Sequence, residues 1–169
     1  KKHKESIEYG NEKLHWSTSE KLLGIYFDSK LIFQKQLIET LKSVKGSTHQ
    51  VWKFSDQTTG LNTATLLDIF DSYLKPSILY GSALWIFQAY PQIRLNVKPK
   101  RPYGDTLKKF HSWYNWVLGL CAAAKKSTCH ISILVRLGRL PLHYLIAFHS
   151  MCDFHAIIHD HSSPEMKTL

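Results

Sequence analysis

Several features that mark common enzymes are absent from this sequence of 169 residues. It has no adjacent acidic pair of the Asp-Asp or Glu-Asp type, which two-metal nucleotidyl transfer uses to hold ions about 4 Å apart. It has no phosphate-cradling loop, since Lys45-Gly46-Ser47-Thr48 lacks the upstream glycine, and no Gly-x-Ser-x-Gly nucleophile elbow. These absences argue against an enzyme that carries its own catalytic centre.

Features of secreted and membrane proteins are also missing. No apolar run reaches the roughly 18–20 residues that cross a bilayer, and the polar start is not a signal peptide. No Asn-x-Ser/Thr acceptor occurs, and the cysteines, three in number, cannot all pair. We expect an intracellular protein without a membrane partner; nucleus and cytoplasm are not distinguished. The lack of an initiator Met suggests that the sequence starts within a longer chain.

The net charge of +9 is concentrated in one part of the chain. Residues 94–139 contain ten Lys or Arg and a single acid, Asp105, so this segment carries the whole excess. A segregated positive charge favours binding to nucleic-acid phosphates over the alternative, a solvated surface that aids solubility. In the same segment Tyr103 could stack on a base or sugar. The predicted nucleic-acid contacts are Lys98, Lys100, Arg101, Tyr103, Lys108, Lys109, Lys125, Lys126, Arg136 and Arg139.

The hydrophobic pattern changes from strand-like to helical near residue 30. Residues 6–9 before a Gly-Asn turn, and the apolar run 21–28, favour β-strands. From Leu31 onward apolar residues recur at intervals of three and four residues, as in amphipathic helices. The predicted fold is mainly α: a short N-terminal antiparallel β hairpin or meander over 1–30, a bundle of about five or six helices over 31–160, and a tail over 161–169.

Turn and capping residues locate the first helices. An apolar stripe that extends to Trp52 predicts a long first helix, and Asn62 or Thr63 is expected to cap a second. Pro76 either ends that helix or begins the next. Residues 91–105, with three prolines, are predicted to form a basic loop.

The remaining helices follow from the same signals. Asp105 is expected to cap a helix that ends at Gly119, and a short helix is expected over 131–137. Pro141 suits the first turn of a last helix that runs to about residue 158. Because that helix is apolar on most sides, we expect it to lie between neighbours.

A metal site on the last helix is a weaker possibility. Cys152, His155 and His159 fall within about 60° of one another at 100° per residue. Zinc needs four rigidly held ligands, and this spacing matches no closed zinc finger. We therefore assign no metal ligand and no cofactor to the chain, while a zinc-binding helical module stays an alternative that metal analysis tests.

Four segments carry recognisable motifs: 21–33 (KLLGIYFDSKLIF), 74–85 (LKPSILYGSALW), 107–119 (ending WVLG) and 133–142 (ILVRLGRLPL). In this order they resemble the reverse transcriptases of LINE-type (non-long-terminal-repeat) retrotransposons, just downstream of the catalytic palm. The corresponding family patterns are YLG followed by alternating hydrophobic residues and Asp, then RPxLxYGxxxW, RxILG and LxxLGxLPL. Together the matches cover roughly residues 5–160.

The resemblance implies an architecture and roles. The first segment would be the primer grip, which holds the growing 3′ end, and the helices would form the thumb. Leu22, Leu23, Gly24 and Ile25 would occupy the grip, where a missing Cβ lets backbone approach the primer. Leu22 stands where the family has tyrosine, and Trp116 stands near its usual arginine. The family's Ala-Asp-Asp turn, and the Mg ions it binds, would belong to a palm domain encoded upstream.

The expected function is that of a non-catalytic fragment of an RNA-directed DNA polymerase, inactive alone, that contacts an RNA/DNA template–primer without sequence preference. Charge reversal of Lys98, Lys100, Arg101, Lys108 and Lys109 is expected to weaken hybrid binding. The alternative is an orphan helical interaction module derived from a retrotransposon. Such a module could expose apolar surface, for example Phe27 and Phe33, and self-associate.

Overall fold

The β element at the front consists of two antiparallel hairpins. The computed structural model describes residues 7–10, 12–14, 17–53, 61–89 and 104–160. Strand β1 (Ile7–Tyr9) pairs with β2 (Glu12–Leu14), and β3 (Ser19–Leu22) pairs with β4 (Ile25–Asp28). The helices that follow confirm the predicted mainly α class. The predicted tail and most of the predicted basic loop lie outside the described residues.

Helices make up the rest of the described chain. Between α2 and α3 a π-helical turn, Phe70–Leu74, continues the helical path without a break. The helices are α1 (Gln34–Lys53), α2 (Thr63–Ile69), α3 (Lys75–Leu79), α4 (Ser82–Ala89), α5 (Gly104–Cys121), α6 (His130–Leu137) and α7 (Leu142–Asp160).

The π-helical turn explains how Pro76 sits within a continuous helical path. A proline inside an α-helix lacks an N–H donor and clashes with the carbonyl four residues earlier. Here the N–H of Lys75, the preceding residue, bonds to Phe70 O, five residues back, so the backbone widens before the proline. Pro76 then occupies the first turn of α3, where its missing donor costs little.

An Asp residue fixes the entry to α1. The carboxylate of Asp28 accepts N–H bonds from Lys30 (3.0 Å), Ile32 (2.9 Å) and Phe33 (2.6 Å). These bonds hold Leu31 and Phe33 at φ of 51° and 60°, a region that side chains rarely adopt. Burial raises the pKa of Asp28, but the three N–H donors and the charge of Lys30 outweigh it, so its pKa is lowered. The Asp of the first motif therefore has a structural role here.

The core lies where α1, the continuous helical segment from α2 to α3, α4, α5 and α7 meet. Five aromatic residues recur at helical spacing, which predicts that most of them belong to the core. Four of them are buried and Trp52 is half-buried; the buried ones are Phe70, Trp85, Phe110 and Trp113. Phe33 is also buried, so the expectation that it forms an exposed self-association surface is wrong. The largest fully buried side chains are Trp85, Tyr114, Phe70, Phe110, Leu37, Leu74, Ile78, Ile86, Leu118, Leu142, Ile146 and Val44.

Helix α5 is longer than its predicted end at Gly119. It continues to Cys121, because Cys121 and Ala122 are buried against the core and favour continued packing over termination at glycine. The turn that ends it has Ala123 at φ 49°. At its other end the helix begins at Gly104, and Asp105 lies in the first turn rather than before it.

Helix α7 has a neighbour on one side only among the described residues. Leu142, Ile146 and Ser150 are buried against the bundle, while the residues on the opposite side are exposed. The expectation that α7 lies between neighbours is therefore only half met. None of the described helices is long and apolar enough to cross a membrane by itself. Helix α6 and the part of α7 up to Ala156 have the required length and composition only when taken together, and they are bent by 43° relative to each other.

Candidate nucleic-acid interface

A groove lined by basic side chains runs between α1 and α5. Its volume is about 590 Å³, and among the described residues no Asp or Glu contributes to its lining. Lys45, Lys108 and Lys109 are exposed, and within the described chain none of them forms an ion pair. The lining residues are Lys45, His49, Lys108, Lys109, Ser112, Trp113 and Trp116.

Hydrogen bonds beneath the groove fix the spacing of its two helices. Trp113 Nε1 donates to Thr48 Oγ1 at 3.2 Å, and Thr48 Oγ1 donates to Val44 O at 2.6 Å. Both side chains are buried, so this polar chain replaces water that the two groups lose on folding. The lysines of α1 and α5 are thereby held opposite each other on a rigid base.

The groove also presents an aromatic surface. The Trp116 side chain is 51% exposed, and its ring centroid lies 6.0 Å from that of Trp52 on α1. A partly exposed indole beside lysines is a surface on which a base can stack.

The other predicted basic residues divide into three groups. Lys125 and Lys126 are exposed in the turn after α5, and Arg136 is exposed on α6. At 1.5 Å per residue, the end of α5 lies roughly 20 Å along its axis from Lys108, so these cations do not join the groove. The remaining predicted contacts lie outside the described residues: Lys98, Lys100, Arg101 and Tyr103.

Arg139 forms an internal ion pair. Its guanidinium donates to both carboxylate oxygens of Asp71, at 2.8 and 2.5 Å, and Lys75 Nζ lies 3.7 Å from the same carboxylate. The Arg139 side chain is only 24% exposed. A bidentate, half-buried pair of this kind joins the connection between α6 and α7 to the continuous helical segment from α2 to α3. Arg139 therefore has a structural role and does not belong to the interface.

The grip-like residues form the tip of the β3–β4 hairpin. Leu23 and Gly24 both have positive φ, 48° and 85°, as a two-residue hairpin turn requires. Leu22 and Leu23 are exposed, 62% and 84%, whereas Ile25 is buried. The turn therefore presents two leucines to the surroundings and anchors itself through Ile25.

The second motif holds this turn in place. Tyr80 Oη donates to Leu23 O at 2.5 Å, and a Cβ on Gly24 would lie 3.3 Å from the Tyr80 ring. A Cβ on Gly81 would lie 2.5 Å from Ile25 Cδ1. Both glycines thus permit close packing of the hairpin on the residues between α3 and α4.

The hairpin and the groove lie on opposite sides of α1. A polar cavity of about 380 Å³ beneath the hairpin is lined by Gln36, Thr40 and Ser43 of α1, among others. At 100° per residue these three point roughly 180° away from Lys45 and His49. A nucleic acid in the groove therefore does not reach the hairpin along a single face of α1.

Several residues of the groove were missed from the sequence. Lys45 and His49 precede the basic segment by about fifty residues in the chain, and Trp116 lies within that segment but carries no charge. No local motif links α1 to α5. The stripe that buries Leu41 and Val44 does place Lys45 beside the core-facing edge, and this is the signal that a helical-wheel comparison could have used.

The candidate metal ligands do not form a site. Cys152, His155 and His159 are all exposed on α7, and the rings of His155 and His159 lie 4.1 Å apart between centroids. In the described part of the chain no three His, Cys, Asp or Glu side chains are arranged to hold a metal ion. The zinc alternative gains no support from these residues.

Comparison with known proteins gives no relative on which to base an assignment. No family model, no curated protein and no solved structure matches the chain.

Proposed function

We propose that the groove between α1 and α5 binds the sugar–phosphate backbone of a nucleic acid. The observation that carries this proposal is the meeting of Lys45, Lys108 and Lys109 around one groove that is lined by no acidic side chain of the described chain. Like charges repel one another, and a bound polyphosphate relieves that repulsion while releasing its own counterions.

The arrangement favours backbone contact over reading of base edges. Lysine ammonium groups recognise phosphates as point charges and carry no sequence information in doing so. Binding is therefore sequence-independent, and its affinity falls as salt rises. Trp116 adds a surface for a base at a single-stranded end or overhang, because every base has a face that can stack.

We further propose that the chain is a non-catalytic piece of a LINE-type reverse transcriptase, with the groove on its thumb. What supports this is the order of the four motifs and the contact between two of them, Tyr80 and Gly81 against the Leu23–Ile25 turn. An RNA–DNA hybrid is then the substrate, recognised by its near A-form shape. Catalysis, with its Mg ions, would belong to the palm.

Fluorescence anisotropy with a labelled RNA–DNA hybrid tests the groove. Reversing Lys45, Lys108 and Lys109 to Glu should weaken binding at least roughly tenfold at low salt. Reversing Lys125, Lys126 and Arg136 to Glu changes the net charge equally but lies outside the groove, and it should have a clearly smaller effect. If both triple variants lost the same amount of affinity, binding would depend on the net charge of the chain and the groove would be rejected as the site.

The origin is tested separately. If the chain is part of such a polymerase, the coding sequence upstream of Lys1 should continue in frame and contain an Ala-Asp-Asp turn a few dozen codons earlier. An upstream frame that encodes an unrelated domain would reject the origin without affecting the groove.

A further inference from the structure

The exposed side of α7 carries an apolar stripe with a regular spacing. Tyr144, Phe148, Met151 and Ile158 are exposed to 60%, 58%, 66% and 67% of their surfaces. With His155, which is also exposed, these positions are separated by four, three, four and three residues. This alternation is the spacing found in the seam of a two-helix coiled coil, where a single polar residue can fix the register.

The opposite side of the same helix already belongs to the core. Leu142, Ile146 and Ser150 are buried against the bundle, with Ser150 Oγ 3.1 Å from Ser82 Oγ on α4. Helix α7 is therefore fixed in place by its buried side, and it cannot turn to bury the exposed stripe in the core instead. Its stripe runs about 21 Å from Tyr144 to Ile158 at 1.5 Å per residue.

The size of the stripe suits pairing with an identical stripe. Large apolar side chains carry roughly 150–250 Å² each, so four of them exposed by about 60% offer on the order of 500 Å². Two copies together would bury about 1,000 Å², the lower bound for a specific interface.

The charge of α7 itself does not oppose a second copy. The chain has a net charge of +9, yet α7 contains no Lys or Arg, and at 100° per residue Asp153 lies on the opposite side of the helix from the stripe. Two copies that meet along this stripe therefore bring no lysine or arginine of α7 against each other. We propose that a second copy of this chain packs on α7 through this stripe, forming a dimer. The proposal is independent of nucleic-acid binding.

Sedimentation velocity on the full chain tests the dimer directly. The expected mass is twice the chain mass of 19.6 kDa at micromolar concentration. Phe148→Glu with Met151→Glu places charge in the seam and should raise the dimer dissociation constant at least about tenfold. Val135→Glu, at an equally exposed apolar residue on α6 (76%), should leave the mass unchanged.

Cysteine crosslinking gives a second readout that does not depend on charged variants. Cys152 is exposed on α7 beside Met151, and Cys129 is exposed before α6. Burial raises the pKa of the Cys121 thiol to about 11, so that thiol does not compete. A short bismaleimide should yield a crosslinked dimer in Cys129→Ser but not in Cys152→Ser.

The outcomes are decisive in either direction. Doubled mass with loss of the crosslink in Cys152→Ser supports pairing through α7. A monomer at all concentrations overturns the proposal, whether the tail or nothing covers the stripe. A dimer that survives the Phe148 and Met151 changes, or that crosslinks through Cys129, would place the interface elsewhere and overturn it too.

Discussion

Tyr80 Oη donates a hydrogen bond to Leu23 O, 57 positions earlier in the chain. The contact joins the tip of the β3–β4 hairpin to the turn between α3 and α4, and Gly81 next to Tyr80 makes room for Ile25. Two segments that the sequence shows only as separate motifs are thus one structural unit. Removing the Tyr80 hydroxyl, as in Tyr80→Phe, should loosen the hairpin without unfolding the helices.

The two glycines with similar backbone angles allow this unit to be tested cleanly. A Cβ on Gly81 (φ +64°) would meet Ile25, whereas a Cβ on Gly138 (φ +61°) would have no neighbouring atom within 4 Å. Gly138→Ala should cost about 1 kcal/mol from the positive φ alone. Gly81→Ala should cost about 2–3 kcal/mol, because Ile25 must also leave its rotamer. Urea unfolding measures both, and equal losses would contradict the packing.

The Asp28 loop predicts a stability that depends on pH. Because the pKa of Asp28 is lowered in the folded chain, its contribution is full above its ordinary pKa of 3.8 and is lost as pH falls through the lowered value. Asp28→Asn removes one hydrogen-bond acceptor and the negative charge, and it should lower the free energy of unfolding by about 1–2 kcal/mol at pH 7.

The control for this prediction is Asp68→Asn, at an exposed residue of α2. It should change stability by less than about 0.5 kcal/mol. The gap between wild type and Asp28→Asn should shrink in acid below pH 3.8. A gap that is the same at neutral and acid pH would contradict a role for the carboxylate.

Substitution of Arg139 tests whether this charge stabilises the fold or contacts nucleic acid. Arg139→Ala leaves Asp71 half-buried without its bidentate partner and should destabilise the fold by about 2–3 kcal/mol. Hybrid affinity at a temperature where the variant is folded should stay within about twofold of wild type. Loss of affinity with stability unchanged would return Arg139 to the nucleic-acid contacts.

Trp116 is expected to act by stacking. Trp116→Ala should weaken binding of a short single-stranded oligonucleotide by about 1–3 kcal/mol, and Trp116→Phe, which keeps an aromatic face, should recover most of it. Anisotropy titrations measure both variants, and circular dichroism checks their folding. Equal affinity of Trp116→Ala and wild type would restrict the groove to phosphate contacts.

Local signals in the sequence predicted much of the fold. The switch of hydrophobic period near residue 30 indicated the fold class, and Gly138 ended α6 as its capping position predicts. The end of α5 was misplaced at Gly119 because burial of Cys121 and Ala122, a tertiary effect, outweighs the local tendency of glycine to stop a helix.

The candidate site was less predictable, for a different reason. Charge density along the chain identified Lys108 and Lys109, but a groove needs two walls, and the wall that carries Lys45 comes from a helix distant in sequence. The same charge density included Arg139, because only the folded chain brings Asp71 beside it. Net charge thus locates a region, while packing selects the residues.

Lys45, Lys108 and Lys109 are proposed to neutralise phosphates in one groove. The most direct measurement is the salt dependence of hybrid affinity for wild type and for the variant with all three changed to Gln. Each lost phosphate contact should reduce the slope of log affinity against log salt by about 1, so the account predicts a slope flatter by roughly 2–3. Parallel slopes for the two proteins would contradict it.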